Sequence, residues 1–127
     1  MESTVLSESL GDYLEVIYHL VEQQRVARVK QIADRMNVQM PSVNGALKVL
    51  SERKLVNYNP YSLITLTERG HRVARDLVRR HETLTEFFTR VLGLDPKTAD
   101  RNACHVEHAI EPQVLNRLVE FLESRKE

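Results

Sequence analysis

The segment VKQIADRMNVQMPSVNGALKVLSER, residues 29–53, contains two stretches with helical spacing of apolar residues on either side of a short connection. The inward positions would be Val29, Ile32, Ala33 and Met36 in the first stretch, and Val43, Ala46, Leu47 and Leu50 in the second. Pro41 suits the first turn of the second helix. A short helix, a tight connection at residues 37–40 and a second helix that opens with small polar residues predict a helix-turn-helix. An ordinary helical hairpin is the alternative.

Two short β-prone runs, residues 56–58 and 63–66, follow this segment and flank an Asn-Pro turn at residues 59–62. They predict a hairpin, and a hairpin directly after a helix-turn-helix is a wing. Side chains near the start of the second helix would reach base edges in the major groove, while the wing would lie along phosphates. The predicted DNA contacts are Arg28, Lys30, Gln39, Pro41, Ser42, Asn44, Lys48, Tyr61 and Ser62.

The charge distribution agrees with a surface that faces a polyanion. The 127 residues carry 18 basic and 18 acidic side chains, so the net charge is zero. The segment Arg25–Lys54 nevertheless has seven cations and two anions. A solvated basic face is the alternative.

The composition excludes several classes of protein. Hydrophobic residues make up 42% and charged residues 28%, as in a soluble globular protein of one domain or two very small ones. No apolar run approaches the about 20 residues that cross a bilayer, and no signal-peptide pattern opens the chain, so we expect a cytoplasmic protein. The single cysteine excludes an internal disulfide.

The remaining segments are helical in pattern and surround a cluster of metal-binding residue types. We expect helices at residues 8–23, from residue 67 to about Leu92, from Asp95-Pro96 onward and after Pro112. On a helix, Cys104, Glu107 and His108 share one face, so that a thiolate, a carboxylate and an imidazole converge, as a divalent transition metal requires. The alternative is that Cys104 is buried or reactive.

Metal-binding residue types also occur on two other predicted helices. Asp12 and Glu15 are three residues apart beside the apolar stripe of the first helix. His81 interrupts the stripe of the long helix between Leu77 and Leu84, where a hydrogen-bonded core histidine is commoner than a ligand.

The helices after the wing carry surplus apolar surface, which suits the homodimer interface that helix-turn-helix proteins commonly need to read two half-sites.

Four motifs occur in order along the chain: GDYLEVIY at 11–18, LTERG at 66–70, RHE at 80–82 and ACHVEH at 103–108. With these motifs the chain resembles the diphtheria toxin repressor and manganese transport regulator family of metal-activated transcriptional repressors, in its short form without an SH3-like domain. The resemblance implies a repressor of metal-uptake genes whose metal ligands are Asp12, Glu15, His81, Cys104, Glu107 and His108.

The resemblance also implies a corepressor and a partner. The metal would be Fe²⁺ or Mn²⁺, with Zn²⁺ or Co²⁺ possible in vitro, and a homodimer would bind a DNA operator of palindromic half-sites. Asp12 and Glu15 match the manganese-type pattern, whereas Cys104 matches the iron-type pattern. Thr85 and Asp100 stand where the iron-type branch has glutamate and histidine, so a full second site of that kind is not expected. We therefore predict a mainly α-helical protein, with a winged helix-turn-helix domain at residues 1–70 and a helical metal-binding and dimerisation domain at 71–127.

Three other functions compete with this one. A winged-helix regulator could sense thiol oxidation or a small molecule through Cys104. The chain could instead be an enzyme, either a thiol hydrolase that uses Cys104 and His108 or a metal hydrolase. Four glycines leave little room for an oxyanion-hole loop, so we do not expect an enzyme. A helical adaptor would explain neither the basic segment nor the wing.

Overall fold

The computed structural model describes residues 6–58 and 63–125. The chain divides into two compact units, one ending at Arg75 and the other beginning at Asp76. Tyr61 and Ser62, the predicted DNA contacts at the hairpin tip, lie outside the described residues.

The first unit confirms the winged helix-turn-helix. Its elements are α1 Glu8–Gln24, α2 Val29–Met36, α3 Met40–Glu52, β1 Val56–Asn57 and β2 Thr65–Leu66. The strands pair antiparallel, with Val56 opposite Leu66, and a further bridge joins Ala27 to Ile64. The centre of the unit is fully buried and apolar because the inward faces of the helices supply Leu14, Ile17, Ile32, Val43, Leu47 and Leu50.

Single residues mark the start of α1 and the end of α2. The Ser7 hydroxyl accepts a hydrogen bond from the Leu10 amide and caps the start of α1. Asn37 adopts a left-handed backbone with φ 57°, which ends α2 and opens the connection to α3. The turn between α2 and α3 therefore depends on a residue type that tolerates positive φ.

Gly70 allows the start of the next helix to approach the preceding loop. A Cβ atom at Gly70 would lie 1.8 Å from the carbonyl oxygen of Leu55, so any side chain would force the two segments apart. Thr67 joins them, since its hydroxyl donates to the Lys54 carbonyl and accepts from the Gly70 amide. The LTERG motif thus fixes the wing to the helix that follows.

The second unit is helical. Helix α4, Glu68–Glu86, begins in the first unit, and after it come α5, Pro96–Glu107, and α6, Pro112–Ser124. The side chains of Leu84, Ala99, Ala103, Leu115 and Leu122 are buried. Gly93, with φ 69°, follows the long helical stretch, and Asp95 caps α5 through the Thr98 amide.

The long helix differs from the sequence prediction at its end. The prediction was one helix to about Leu92, but the α-helix ends at Glu86 and a π-helical segment covers Phe87–Val91. The Leu92 amide donates to the Phe87 carbonyl five residues back. The Thr89 hydroxyl bonds to the carbonyls of Thr85 and Glu86 and so competes with the regular α-helical pattern.

Among the described residues, none of the helices combines the length and the apolar character that a bilayer crossing requires.

Candidate metal centre and nucleic-acid interface

Glu107, the last residue of α5, is a charged side chain with no solvent exposure. Its Oε1 lies 2.6 Å from His81 Nδ1. Its Oε2 is buried and has no hydrogen-bond partner among the described residues. A buried polar atom without a partner costs about 1–3 kcal/mol, and more when it is charged. A cation would offset this cost, so the carboxylate fits a metal ligand.

His81 lies between two carboxylates. Its Nδ1 faces Glu107, and its Nε2 lies 2.7 Å from Asp100 Oδ1. The hydrogen bond to Glu107 raises the pKa of His81 to about 9 against the opposing effect of burial, and Asp100 adds to the increase. Without a metal the ring therefore holds a second proton at neutral pH, and a cation bound at Nδ1 would replace that proton.

His108 and Cys104 add two donors in the same unit. His108 follows the end of α5 but keeps a right-handed helical backbone, with φ −81° and ψ −14°. Its Nε2 lies 3.9 Å from Glu107 Oε2. One of its ring nitrogens is within 4.8 Å of Cys104 Sγ. The second unit thus brings together a thiol, a carboxylate and two imidazoles, a donor set that suits Fe²⁺, Zn²⁺ and related ions.

The other two predicted ligands, Asp12 and Glu15, lie on α1 in the first unit. Both side chains are partly exposed. Their separation of three residues places the two carboxylates on one face of the helix.

Asp100 and Arg80 have contacts in this site that sequence reasoning did not assign. Asp100 precedes Cys104 by four residues and Glu107 by seven, so the spacing alone could have placed the three on one face of α5. Arg80 donates from Nη1 to the Glu107 carbonyl, and its Nε lies 3.0 Å from Asp76. A guanidinium at the carboxyl end of α5 interacts favourably with the helix dipole.

The outer face of the helix-turn-helix carries the predicted DNA contacts. The exposed residues are Arg28, Lys30, Gln39, Pro41, Ser42, Asn44 and Lys48. The opposite face of α3 is buried. Tyr58, next to the hairpin tip, donates from its hydroxyl to Asn44 Oδ1 over 3.1 Å, so the Asn44 amide is held by a side chain from outside its own helix.

Two family profiles match the chain and together span almost all of it. Residues 5–64 match the N-terminal DNA-binding domain of iron-dependent repressors. Residues 67–127 match the metal-binding and dimerisation domain of the same proteins. This chain belongs to the iron-dependent repressor family. The family resemblance read from the four sequence motifs is thereby confirmed, and the family is one of metal-dependent transcriptional repressors.

Individual members of the family align along most of the chain. An uncharacterized HTH-type transcriptional regulator of Methanocaldococcus jannaschii is 39% identical over 123 residues, which are 96% of this chain and 98% of that protein. The HTH-type transcriptional regulator MntR of Bacillus pumilus is 33% identical over 122 residues, covering 94% and 84%. These family members are regulators of transcription, and they give no support to an enzyme or to a thiol sensor.

A solved structure in the family has the same fold. The structure of the manganese regulator SloR superposes with a TM-score of 0.81 at 31% sequence identity, over 90% of this chain and 53% of that one. The iron-dependent repressor chain described here therefore spans about half the length of that structure.

Proposed function

We propose that this protein is a DNA-binding transcriptional repressor of metal-uptake genes and that Fe²⁺ or Mn²⁺ activates it as a corepressor. The observation that carries the proposal is the fully buried Glu107 carboxylate, which lies between His81 and His108 and has one oxygen without a hydrogen-bond partner among the described residues. A repressor of this kind acts on DNA in the cytoplasm.

The proposed ligands are Asp12, Glu15, His81, Cys104, Glu107 and His108. The distances within the second unit support His81, Cys104, Glu107 and His108. The spacing on α1 and the matching family motif support Asp12 and Glu15.

A bound divalent ion would supply the positive charge that offsets the anionic donors. In the second unit, the ion would hold Glu107 and a deprotonated Cys104 together, since two anionic donors at one site repel each other without a shared cation. The metal favours DNA binding only if it binds the DNA-binding conformation of the protein more tightly than the conformation that does not bind DNA. The coupling free energy between two such sites is typically about 1–3 kcal/mol.

The proposed donor set is compatible with both Mn²⁺ and Fe²⁺. Carboxylates favour Mn²⁺, whereas a thiolate shifts the preference toward Fe²⁺, and in vitro toward Zn²⁺ or Co²⁺. The names of the relatives include both an iron-dependent repressor domain and a manganese regulator. Raw affinity follows the Irving–Williams order, so the tightest ion in vitro need not be the cellular signal.

The DNA-binding form is proposed to be a homodimer on two palindromic half-sites, with α3 of each protomer in the major groove. An apolar stripe on α6 supports self-association. Val114 and Phe121, seven residues apart, are 48% and 38% exposed, and the partly buried Leu118 lies between them on the same face.

The test is binding of the protein to its own promoter DNA under anaerobic conditions, first with a chelator and then with Mn²⁺, Fe²⁺ or Zn²⁺ titrated in. We expect the affinity to rise at least about tenfold with metal, which corresponds to about 1.4 kcal/mol. A scrambled DNA of equal length controls for non-specific binding. Equally tight binding in chelator would refute the corepressor function.

A further inference from the structure

Asp100 is the one acidic contact of His81 in the described structure that lies outside the proposed ligand set. Its side chain is 69% exposed and its Oδ1 is 2.7 Å from His81 Nε2. The other ring nitrogen, Nδ1, is 2.6 Å from the fully buried Glu107. The two nitrogens of one imidazole therefore face different carboxylates, one at the solvent side and one in the interior.

This arrangement matters because a neutral imidazole that binds a metal keeps only one ring proton. If Nδ1 keeps it, the lone pair on Nε2 points toward Asp100 and away from Glu107. If Nε2 keeps it, the lone pair on Nδ1 points toward Glu107, where His108 also lies. The hydrogen-bond partner of the second nitrogen decides between the two tautomers.

We propose that Asp100 is a positioning residue that accepts a hydrogen bond from His81 Nε2 and thereby directs Nδ1 to the metal. Once Glu107 coordinates a cation, its oxygens are poorer acceptors for a ring proton, whereas Asp100 remains available. Helix α5 holds Asp100 in place, since the residue lies two turns before Glu107 on the same face. The inference rests on the proposed metal-dependent function and adds a residue to it.

The test uses the full chain with ¹⁵N-labelled histidine and ¹¹³Cd²⁺ as the probe ion. In the wild type we expect scalar coupling of ¹¹³Cd to Nδ1 of His81 and a proton on Nε2. In Asp100→Ala we expect a second set of His81 ring signals that lacks the Nδ1 coupling, with Cd²⁺ affinity lowered about tenfold. Asp100→Asn keeps a carbonyl acceptor and should restore much of the single set.

Glu111→Gln is the matched control, because this exposed carboxylate makes no capping bond on α6. The inference alone is overturned if Asp100→Ala keeps one set of signals with Nδ1 coupling and unchanged affinity, or if wild-type coupling is to Nε2. Loss of one whole equivalent of Cd²⁺ in Asp100→Ala would also overturn it, because Asp100 would then be a ligand. If wild type binds no Cd²⁺, or if Glu107→Gln binds it as tightly, the proposed function fails as well.

Discussion

The Glu107 carboxylate is buried away from water. Its two oxygens can accept more hydrogen bonds than the described residues around them donate. His81 and His108 are the nearest basic groups in the second unit, at 2.6 and 3.9 Å. Protonated His81 partners one oxygen of this carboxylate, and a bound cation would also partner the other. At the scale of the residue, removing the charge of Glu107 is therefore a direct test of the proposed metal site.

Replacing Glu107 by glutamine keeps its size and removes that charge. We expect Glu107→Gln to lose metal-dependent activation of DNA binding while the dimer persists, because the proposed dimer surface lies on other residues. DNA-binding titrations with and without metal measure the first effect, and sedimentation measures the second. A monomeric variant would contradict this separation of roles, and Glu111→Gln provides the matched control.

Tyr58 holds the side-chain oxygen of Asn44. Because the Tyr58 hydroxyl donates to Asn44 Oδ1, the proposed base contact of Asn44 would be made by its amide NH₂, which donates to acceptors on a base. Tyr58→Phe frees that oxygen, and we expect weaker discrimination at a single operator position, by at most the about 1–3 kcal/mol of a specific base contact. Binding to operators changed at each position measures this effect.

The control for that variant is Tyr18→Phe, which removes a hydroxyl from a ring that packs against His71. An equal loss of affinity for every operator sequence would show that Tyr58 only supports the wing.

At the scale of the element, helix α3 has one face that packs in the core and another that is exposed to solvent. Its inward residues are buried, whereas Lys48 is exposed on the other side. We expect Lys48→Ala to weaken binding to all DNA sequences and to reduce the salt dependence by about one phosphate contact. Metal affinity should stay nearly unchanged. Lys97→Ala, exposed on α5, is the control, and a parallel loss of metal affinity in Lys48→Ala would indicate a structural role.

Most element boundaries could be predicted because their signals are local. Pro41, Asn37, Gly93 and Asp95 mark ends that depend on the backbone preferences of single residues, and apolar spacing indicates the buried face of each helix. The contact between Asp100 and His81 could not be predicted in this way, since it joins two helices across 19 residues of sequence. The spacing of residues along a helix shows which side chains share a face, but it does not show which other helix packs against that face.

The π-helical segment was missed for a related reason. Phe87, Phe88 and Val91 fit an α-helical stripe equally well, and the sequence carries no proline or glycine between Glu86 and Leu92. The departure depends on hydrogen bonds of the Thr89 hydroxyl and the Leu92 amide, which a pattern of apolar residues does not encode.

At the scale of the whole molecule, the proposed function requires two copies of the chain. We expect Val114→Asp to weaken the dimer, because it places a charge in the apolar stripe on α6, and to lower operator affinity with it. Sedimentation at micromolar concentration and operator binding measure the two effects. Asn116→Asp adds the same charge on the same helix at another exposed position, and an equal effect there would argue against this interface.

The π-helical turn at Phe87–Val91 also has a consequence for how this chain could gain or lose a residue. An insertion or deletion in a regular α-helix rotates everything after it by about 100°. A turn closed by hydrogen bonds to the fifth residue back already holds one residue in excess, so its removal would restore α-helical geometry locally. Length differences between relatives in this region should therefore concentrate at residues 87–91. A change of one residue there would leave Gly93 and Asp95 in the same rotational position about the helix axis.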